Sequence, residues 1–267
     1  MDKPAGLSPS LYDKDYYLKS LPGRAYLERM DVLDPAINDT VCLGEIQPGD
    51  RVLDFGCGRG ALVIALAKRG CRVTGVDFSQ DAIRFANEFL KQFPNEIKTR
   101  VEFRQMDMSG LNFEREFDAI VFNQVYEHLR DWELDSLLSK FGRALKTSGT
   151  LVISTPNLNY IRFLFPLKRI ANFPFKVAKE ILRLIHGRSK HAGSVGTFLK
   201  EIFKIRYPES EHTRLHVNLQ TPTSIRRFVE AHGFQTVVVC VDPHKDLLTF
   251  LARKWWGETI WVSAQPA

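Results

Sequence analysis

A β-branched run into a cluster of glycines, Val52-Leu53-Asp54-Phe55-Gly56-Cys57-Gly58-Arg59-Gly60, followed at once by the Ala-rich stretch 61–67, constrains this chain more than any other feature. Residues 51–55 read as a strand and 59–69 as a helix. A strand that turns sharply into a helix needs glycines wherever a Cβ would block the turn or hold a ligand away from the backbone amides. The junction therefore predicts an open α/β sheet with a ligand crevice at the carboxyl ends of its strands.

The alternation continues along the chain. Residues 72–77, 101–106, 117–123 and 150–155 read as strands, and 80–92 and 132–146 as helices. After an interruption of about fifty residues, a helix at 223–232 and a strand at 235–241 resume the pattern, and a last strand at 259–264 returns antiparallel beside it. Thr221-Pro222-Thr223 opens the later helix, Thr capping orphan amides and Pro fitting the first turn. The expectation is α/β: a doubly wound, mostly parallel seven-stranded sheet in one domain over 49–267. A helical insertion after the fifth strand, 157–215, interrupts it, and an N-terminal helical cover, 1–48, precedes it. A chain of 267 residues suits one such domain.

The chemistry of the crevice is written at the strand ends. The glycines are spaced G-x-G-x-G, and Asp54 stands two positions before the first of them. A carboxylate there repels a pyrophosphate and suits a cationic amino group, which favours an amino-acid-bearing nucleoside over a dinucleotide. Asp77 closes the second strand in Val73-Thr74-Gly75-Val76-Asp77, where a carboxylate accepts hydrogen bonds from both ribose hydroxyls.

On these residues the chain resembles the class I S-adenosylmethionine-dependent methyltransferases and is similar in particular to small-molecule methyltransferases of the quinone-biosynthesis kind. The likeness is close over 49–156 and looser over 221–234. It implies a Rossmann-like fold, S-adenosyl-L-methionine as cofactor and methyl transfer as the reaction. By the same resemblance, Asp54, Gly56, Gly58 and Gly60 surround the methionine part, and Asp77 holds the ribose with Phe78 beside the adenine. Asp107, next to Met108 in Gln105-Met106-Asp107-Met108, meets the adenine amino group. Asn123 and Gln124 line the site at the end of the fourth strand. Leading segments of such enzymes fold over the cofactor, so Tyr17 and Arg24 are expected there, Arg24 as a charge-assisted partner of the methionine carboxylate.

Methyl transfer from a sulfonium is an in-line displacement with an electrophile already activated, so the protein mainly orients and excludes water. A hydroxyl acceptor profits from a base, and His128, just beyond the fourth strand, is the first candidate, with Glu127 as a second polar contact. His212 and His216, at the return from the insertion, read as solvated loop residues, with entry from a lid as the alternative. Carboxylates grouped with Asn123 in the manner of metal-dependent enzymes are not evident, so no metal is expected. Asn123-Gln124-Val125-Tyr126 lacks the Pro-Pro-aromatic turn of similar exocyclic-amine methyltransferases, which disfavours nucleic acid as substrate.

The insertion carries the charge. Between Ile161 and Arg206 eleven Lys or Arg stand against Glu180 and Glu201, a local +9 within a chain of net charge +6, so the remainder is slightly acidic. Val177, Ala178, Ile181, Leu182, Leu184 and Ile185 fall on one helical face, opposed by Lys176, Lys179, Glu180 and Arg183. Two readings follow: a lid helix packed on the sheet, or a basic amphipathic helix at an anionic membrane surface that gives access to a lipid-like acceptor. Without a secretory signal pattern or a run of about 18 apolar residues, a cytoplasmic protein, at most peripheral at the membrane, is expected. Cys42, Cys57, Cys71 and Cys240 lack metal-ligand spacing and read as free thiols. A small-molecule or lipid-like acceptor is therefore the leading partner, ahead of a cofactor-binding subunit without its own activity and of an RNA-associated enzyme.

Overall fold

Parallel strands covered by helices on both faces must be apolar along their length rather than at alternate positions. Val52 and Leu53 of strand β1 (Arg51–Phe55) and Ala119 to Phe122 of strand β4 (Phe117–Asn123) satisfy this and are all buried. The structure, a computed structural model, describes Leu11 and residues 35–186, 214–241 and 257–267. Tyr17, Arg24, His212 and most of the expected N-terminal cover lie outside the described residues.

In chain order the remaining elements are α1 (Pro35–Leu43), α2 (Ala61–Lys68), β2 (Arg72–Asp77), α3 (Gln80–Leu90), α4 (Asn95–Lys98) and β3 (Val101–Gln105). A 3-10 turn (Tyr126–His128) follows β4, then α5 (Asp131–Ala144) and β5 (Leu145–Pro156). The insertion opens with a π turn (Tyr160–Leu164), α6 (Phe165–Ala171) and α7 (Phe173–Ile185), and the chain resumes with α8 (Pro222–Ala231), β6 (Phe234–Val241) and β7 (Thr259–Pro266).

The seven strands form one sheet in the order β3-β2-β1-β4-β5-β7-β6. The first five are parallel, while β7 lies antiparallel between β5 and β6. The doubly wound, mostly parallel expectation is met, and the last strand pairs with β5 as well as with its predicted neighbour β6. Leu145 pairs with Phe117 but Thr150 pairs with Ala119, so a bulge takes up the Lys146–Gly149 turn at the start of β5.

One core face gathers Phe55, Phe122 and Phe141 edge to face at centroid separations of 5.9, 5.5 and 5.4 Å, contacts worth about 1 kcal/mol each beyond burial. Asp118 begins β4 at the end remote from the crevice and accepts from the Arg51 backbone amide at 2.9 Å and from Lys146 at 2.6 Å, a structural role. Among the described residues no helix is long and apolar enough to cross a membrane.

Candidate active site

β1 and β4 are neighbours, yet β1 continues outward to β2 and β4 to β5, so a crevice opens between their carboxyl ends. The glycine turn lies at its mouth. Gly56 and Cys57 amides both donate to the Val76 carbonyl, at 2.8 and 3.0 Å, which ties the turn to the end of β2. Gly60 has φ of 78°, and a Cβ there would stand 2.4 Å from the Phe103 ring. At Gly56, φ is 80° and a Cβ would meet Val125 at 2.4 Å. Both positions thus require glycine for the left-handed backbone and for close packing.

Two carboxylates converge on this turn. Asp54, 4% exposed, has its carboxyl pushed up to about 7, first by burial and then by the nearby Asp77. A cation placed beside such a buried acid would favour its ionised form. Asp77 accepts from the Gly58 amide through Oδ2 and from the Ser79 amide through Oδ1, both at 2.9 Å. These two bonds fix the plane of the carboxylate. Ser79 in turn caps α3 by accepting from the Ala82 amide at 3.3 Å.

The outer expected contacts ring the same edge. Phe78 is half-buried just past β2, and its carbonyl accepts from Gln105 Nε2. Asp107 is exposed beyond β3. A hydrogen bond from the Ser109 hydroxyl, with backbone amides of Ser109 and Gly110, holds its carboxyl below the usual range. Met108 packs against the core, and its carbonyl accepts from Lys140 Nζ at 2.7 Å. Asn123 ends β4 and donates to Thr40 Oγ1 of α1 at 2.9 Å, linking the expected cover to the crevice floor. Gln124 follows with φ of 53°, a left-handed conformation uncommon outside glycine, held by its own amide on the Ser154 carbonyl.

Beyond Gln124, the 3-10 turn buries Glu127 completely and His128 to 6% exposure. Glu127 Oε2 accepts from Thr155 Oγ1 at 3.0 Å, and burial pushes its carboxyl up to about 8. The Glu127 carbonyl accepts from the amides of Val217 and Asn218, at 2.8 and 3.0 Å, so the chain returning from the insertion docks on this turn. That docking sets the His216 ring edge-on against His128, centroids 5.0 Å apart. The solvated-loop reading of His216 gives way to a half-buried side chain beside the candidate base. No spacing in the sequence announces this, because the partners lie some 87 residues apart and meet only through backbone hydrogen bonds.

A model of the methyltransferase-domain family matches residues 27–239. The chain belongs to that family. It is 34% identical to the ubiquinone biosynthesis O-methyltransferase of Alkalilimnicola ehrlichii over 128 residues, 47% of this chain and 49% of that protein. It is also 31% identical to the protein of the same name from Xanthomonas campestris pv. campestris over 159 residues, 59% of this chain and 60% of that one. The match thus spans about half to three fifths of these relatives' length. Among solved structures, a SAM-dependent methyltransferase from Methanosarcina mazei superposes with a TM-score of 0.56 at 22% identity, over 88% of this chain and 98% of that one. A Pyrococcus horikoshii protein gives 0.57 at 20% identity, over 98% of this chain and 100% of that one. The expected class I methyltransferase architecture is thereby borne out for family and fold.

Proposed function

We propose that this methyltransferase-family chain transfers the methyl group of S-adenosyl-L-methionine to a hydroxyl oxygen of a hydrophobic, small-molecule or lipid-like acceptor. The observation that carries this reading is the buried pair Asp54 and Asp77 at adjacent strand ends around a glycine turn, a receptor for one ammonium and one diol. Asp54 takes the methionine ammonium and Asp77 the ribose hydroxyls, while Gly56, Gly58 and Gly60 let the backbone approach. Phe78 and Met108 flank the adenine, Asp107 accepts from its amino group, and Asn123 lines the floor. Tyr17 and Arg24 close over the cofactor from the leading segment.

The methyl carbon passes in line from sulfur to oxygen. The electrons of the broken C–S bond stay on sulfur, giving S-adenosylhomocysteine, and the acceptor proton passes from its oxygen to the His128 imidazole. His128 and Glu127, on the turn after β4, act at that oxygen. The curated relatives named for ubiquinone biosynthesis support oxygen as the atom methylated. The test is S-adenosylhomocysteine release from phenolic acceptors with and without an apolar tail. Turnover that needs the tail and disappears in Asp77→Ala supports the reading; cofactor binding with no turnover on any such acceptor leaves a binding subunit instead.

The insertion supports a peripheral position on an anionic membrane. Phe175 is 76% exposed and Ile185 71%, and Phe163, Leu167, Ile170, Ile181 and Leu182 are exposed as well. The exposed apolar face of α7 supports the membrane-surface reading over a packed lid, and Lys168, Arg169, Lys179 and Arg183 accompany it. Apolar side chains beside cations suit a headgroup layer on the cytoplasmic side, from which a lipid-like acceptor reaches the crevice.

A further inference from the structure

We infer that Lys140 of α5 is a positioning residue for the cofactor's base, holding the 106–110 loop so that Asp107 accepts a 6-amino purine and rejects a 6-oxo purine. The inference rests on the contact proposed above between Asp107 and the adenine amino group. It assigns the selectivity of that contact to a side chain that acts through the loop.

The loop has no regular structure to hold it. It leaves β3 at Gln105 and forms neither helix nor strand before β4 begins at Phe117. Its near end hangs from β2, where the Met106 amide donates to the Asp77 carbonyl at 2.9 Å. Further along, the Lys140 ammonium donates to the Met108 carbonyl at 2.7 Å and to the Ser109 carbonyl at 2.9 Å. Bonds from a charged donor are about twice as strong as neutral ones. Asp107 lies between these two anchors. The mounting of the second anchor is rigid: Leu137, three residues before Lys140, and Ala144, four after it, are completely buried, so Lys140 stands beside the core face of α5. Met108 packs against that same core.

Within the loop, the Ser109 amide, the Ser109 hydroxyl and the Gly110 amide all donate to Asp107 Oδ1, at 2.8, 2.5 and 3.2 Å. Oδ2 has no hydrogen-bond partner among the described residues, which leaves it for a donor from outside. The Ser109 hydroxyl first, then the two amides and the Lys140 charge, hold this carboxyl below its usual range against a small cost of desolvation. Asp107 is therefore ionised at neutral pH and can only accept. Such an oxygen welcomes an exocyclic amino group and repels a carbonyl oxygen, provided that it is aimed to within about 0.5 Å. Without the ammonium, the Met108 and Ser109 carbonyls lose their common donor and the turn that aims Oδ2 loses its second anchor.

The test compares, by calorimetry on the full chain without any acceptor, the binding of S-adenosylhomocysteine and of its 6-oxo analogue, S-inosylhomocysteine. The unaltered chain should prefer the adenine form by about 100-fold, as expected where a charged acceptor is left without its donor. Lys140→Met keeps the apolar stem and removes the donors. It should cut that preference by about tenfold, almost wholly through weaker binding of the adenine form. Lys140→Arg, still cationic and rich in donors, should recover most of the preference. Asp107→Asn should abolish it, since an amide side chain can meet either purine. A Lys140→Met preference equal to that of the unaltered chain, or an equal loss of affinity for both ligands, overturns the inference. If Asp107→Asn has lost its preference while Lys140→Met has kept it, Lys140 alone is wrong. If Asp107→Asn binds with its preference intact, the adenine contact of Asp107 falls and the role of Lys140 falls with it.

Discussion

The cofactor end of the sheet and the insertion above it are built by opposite means. Around β1 and β2 the crevice is fixed by backbone hydrogen bonds within one β-α-β unit: Asp77 sits between the Gly58 and Ser79 amides, and the glycine turn hangs from Val76. The insertion instead leaves large apolar side chains of α6 and α7 exposed among the described residues, and the chain returning from it is held at the site by long-range contacts with Glu127, His128 and Asp131. The first region is held by bonds within one β-α-β unit. The second, in the proposal above, is completed by a surface and an acceptor.

The largest expected effect that would break this contrast is at Gly60. Gly60→Val combines a left-handed backbone with a Cβ driven against the Phe103 ring, a cost of about 3 kcal/mol from strain and overpacking together. Thermal unfolding should fall by about 10 °C, with cofactor binding lost. A variant of normal stability would show that the turn is not rigid.

Asp77→Ala comes next. It removes the proposed acceptor for two ribose hydroxyls, with an expected cost of about 3 kcal/mol, or a roughly 100-fold loss in affinity for S-adenosylhomocysteine, measured by calorimetry. Vesicle binding should be untouched, since the two regions share no group in that proposal.

A smaller effect concerns pH. Asp54 is raised from an ordinary carboxylate value to about 7 by burial and then by Asp77. For such a raised acid the stabilisation is complete below the unfolded value and is lost as pH rises through 7. The empty protein should therefore lose thermal stability from mildly acidic pH to above 7. Binding of the ammonium-bearing cofactor expels the proton, so affinity should tighten with pH by up to tenfold per unit below about 7 and then level. Asp54→Asn should flatten the affinity profile and remove only part of the stability slope, since Glu127, raised by burial to about 8, contributes a slope of the same sign; an affinity slope that survives would place the titrating group elsewhere.

What was legible in the sequence follows the same division. Asp54, the glycines and Asp77 lie within one β-α-β unit, where strand ends and turn chemistry determine position, and all of them meet at one crevice as expected. The antiparallel β7 was also legible, from an apolar run after the sixth strand, although its insertion between β5 and β6 was not, because strand order is a tertiary choice. His216 was not recoverable: periodicity says nothing about a residue placed by two backbone hydrogen bonds to a carbonyl far away in the chain. Nor does an amphipathic pattern reveal whether the apolar face will find the sheet or solvent, since a helix reads the same in both cases. The exposure of Phe175, Ile181 and Ile185 among the described residues supports the surface reading proposed above.

That exposure sets the last and smallest expected change in stability, and the sharpest separation of the two regions. Phe175, Ile181 and Ile185 contribute little to the core, so the triple change Phe175→Ser, Ile181→Ser, Ile185→Ser should move unfolding by no more than about 0.5 kcal/mol per site. Affinity for S-adenosylhomocysteine should equal that of the unaltered chain, because no group in the crevice is touched. Co-sedimentation with vesicles rich in anionic lipid should drop sharply, and turnover of a tailed acceptor in vesicles should drop with it while a short soluble phenol is methylated as before. If instead the triple variant loses several kcal/mol, the face is covered by other parts of the chain in solution and α7 is a packed lid. Unchanged sedimentation at full stability would show that the lysines and arginines act alone, a purely electrostatic attachment that salt would release.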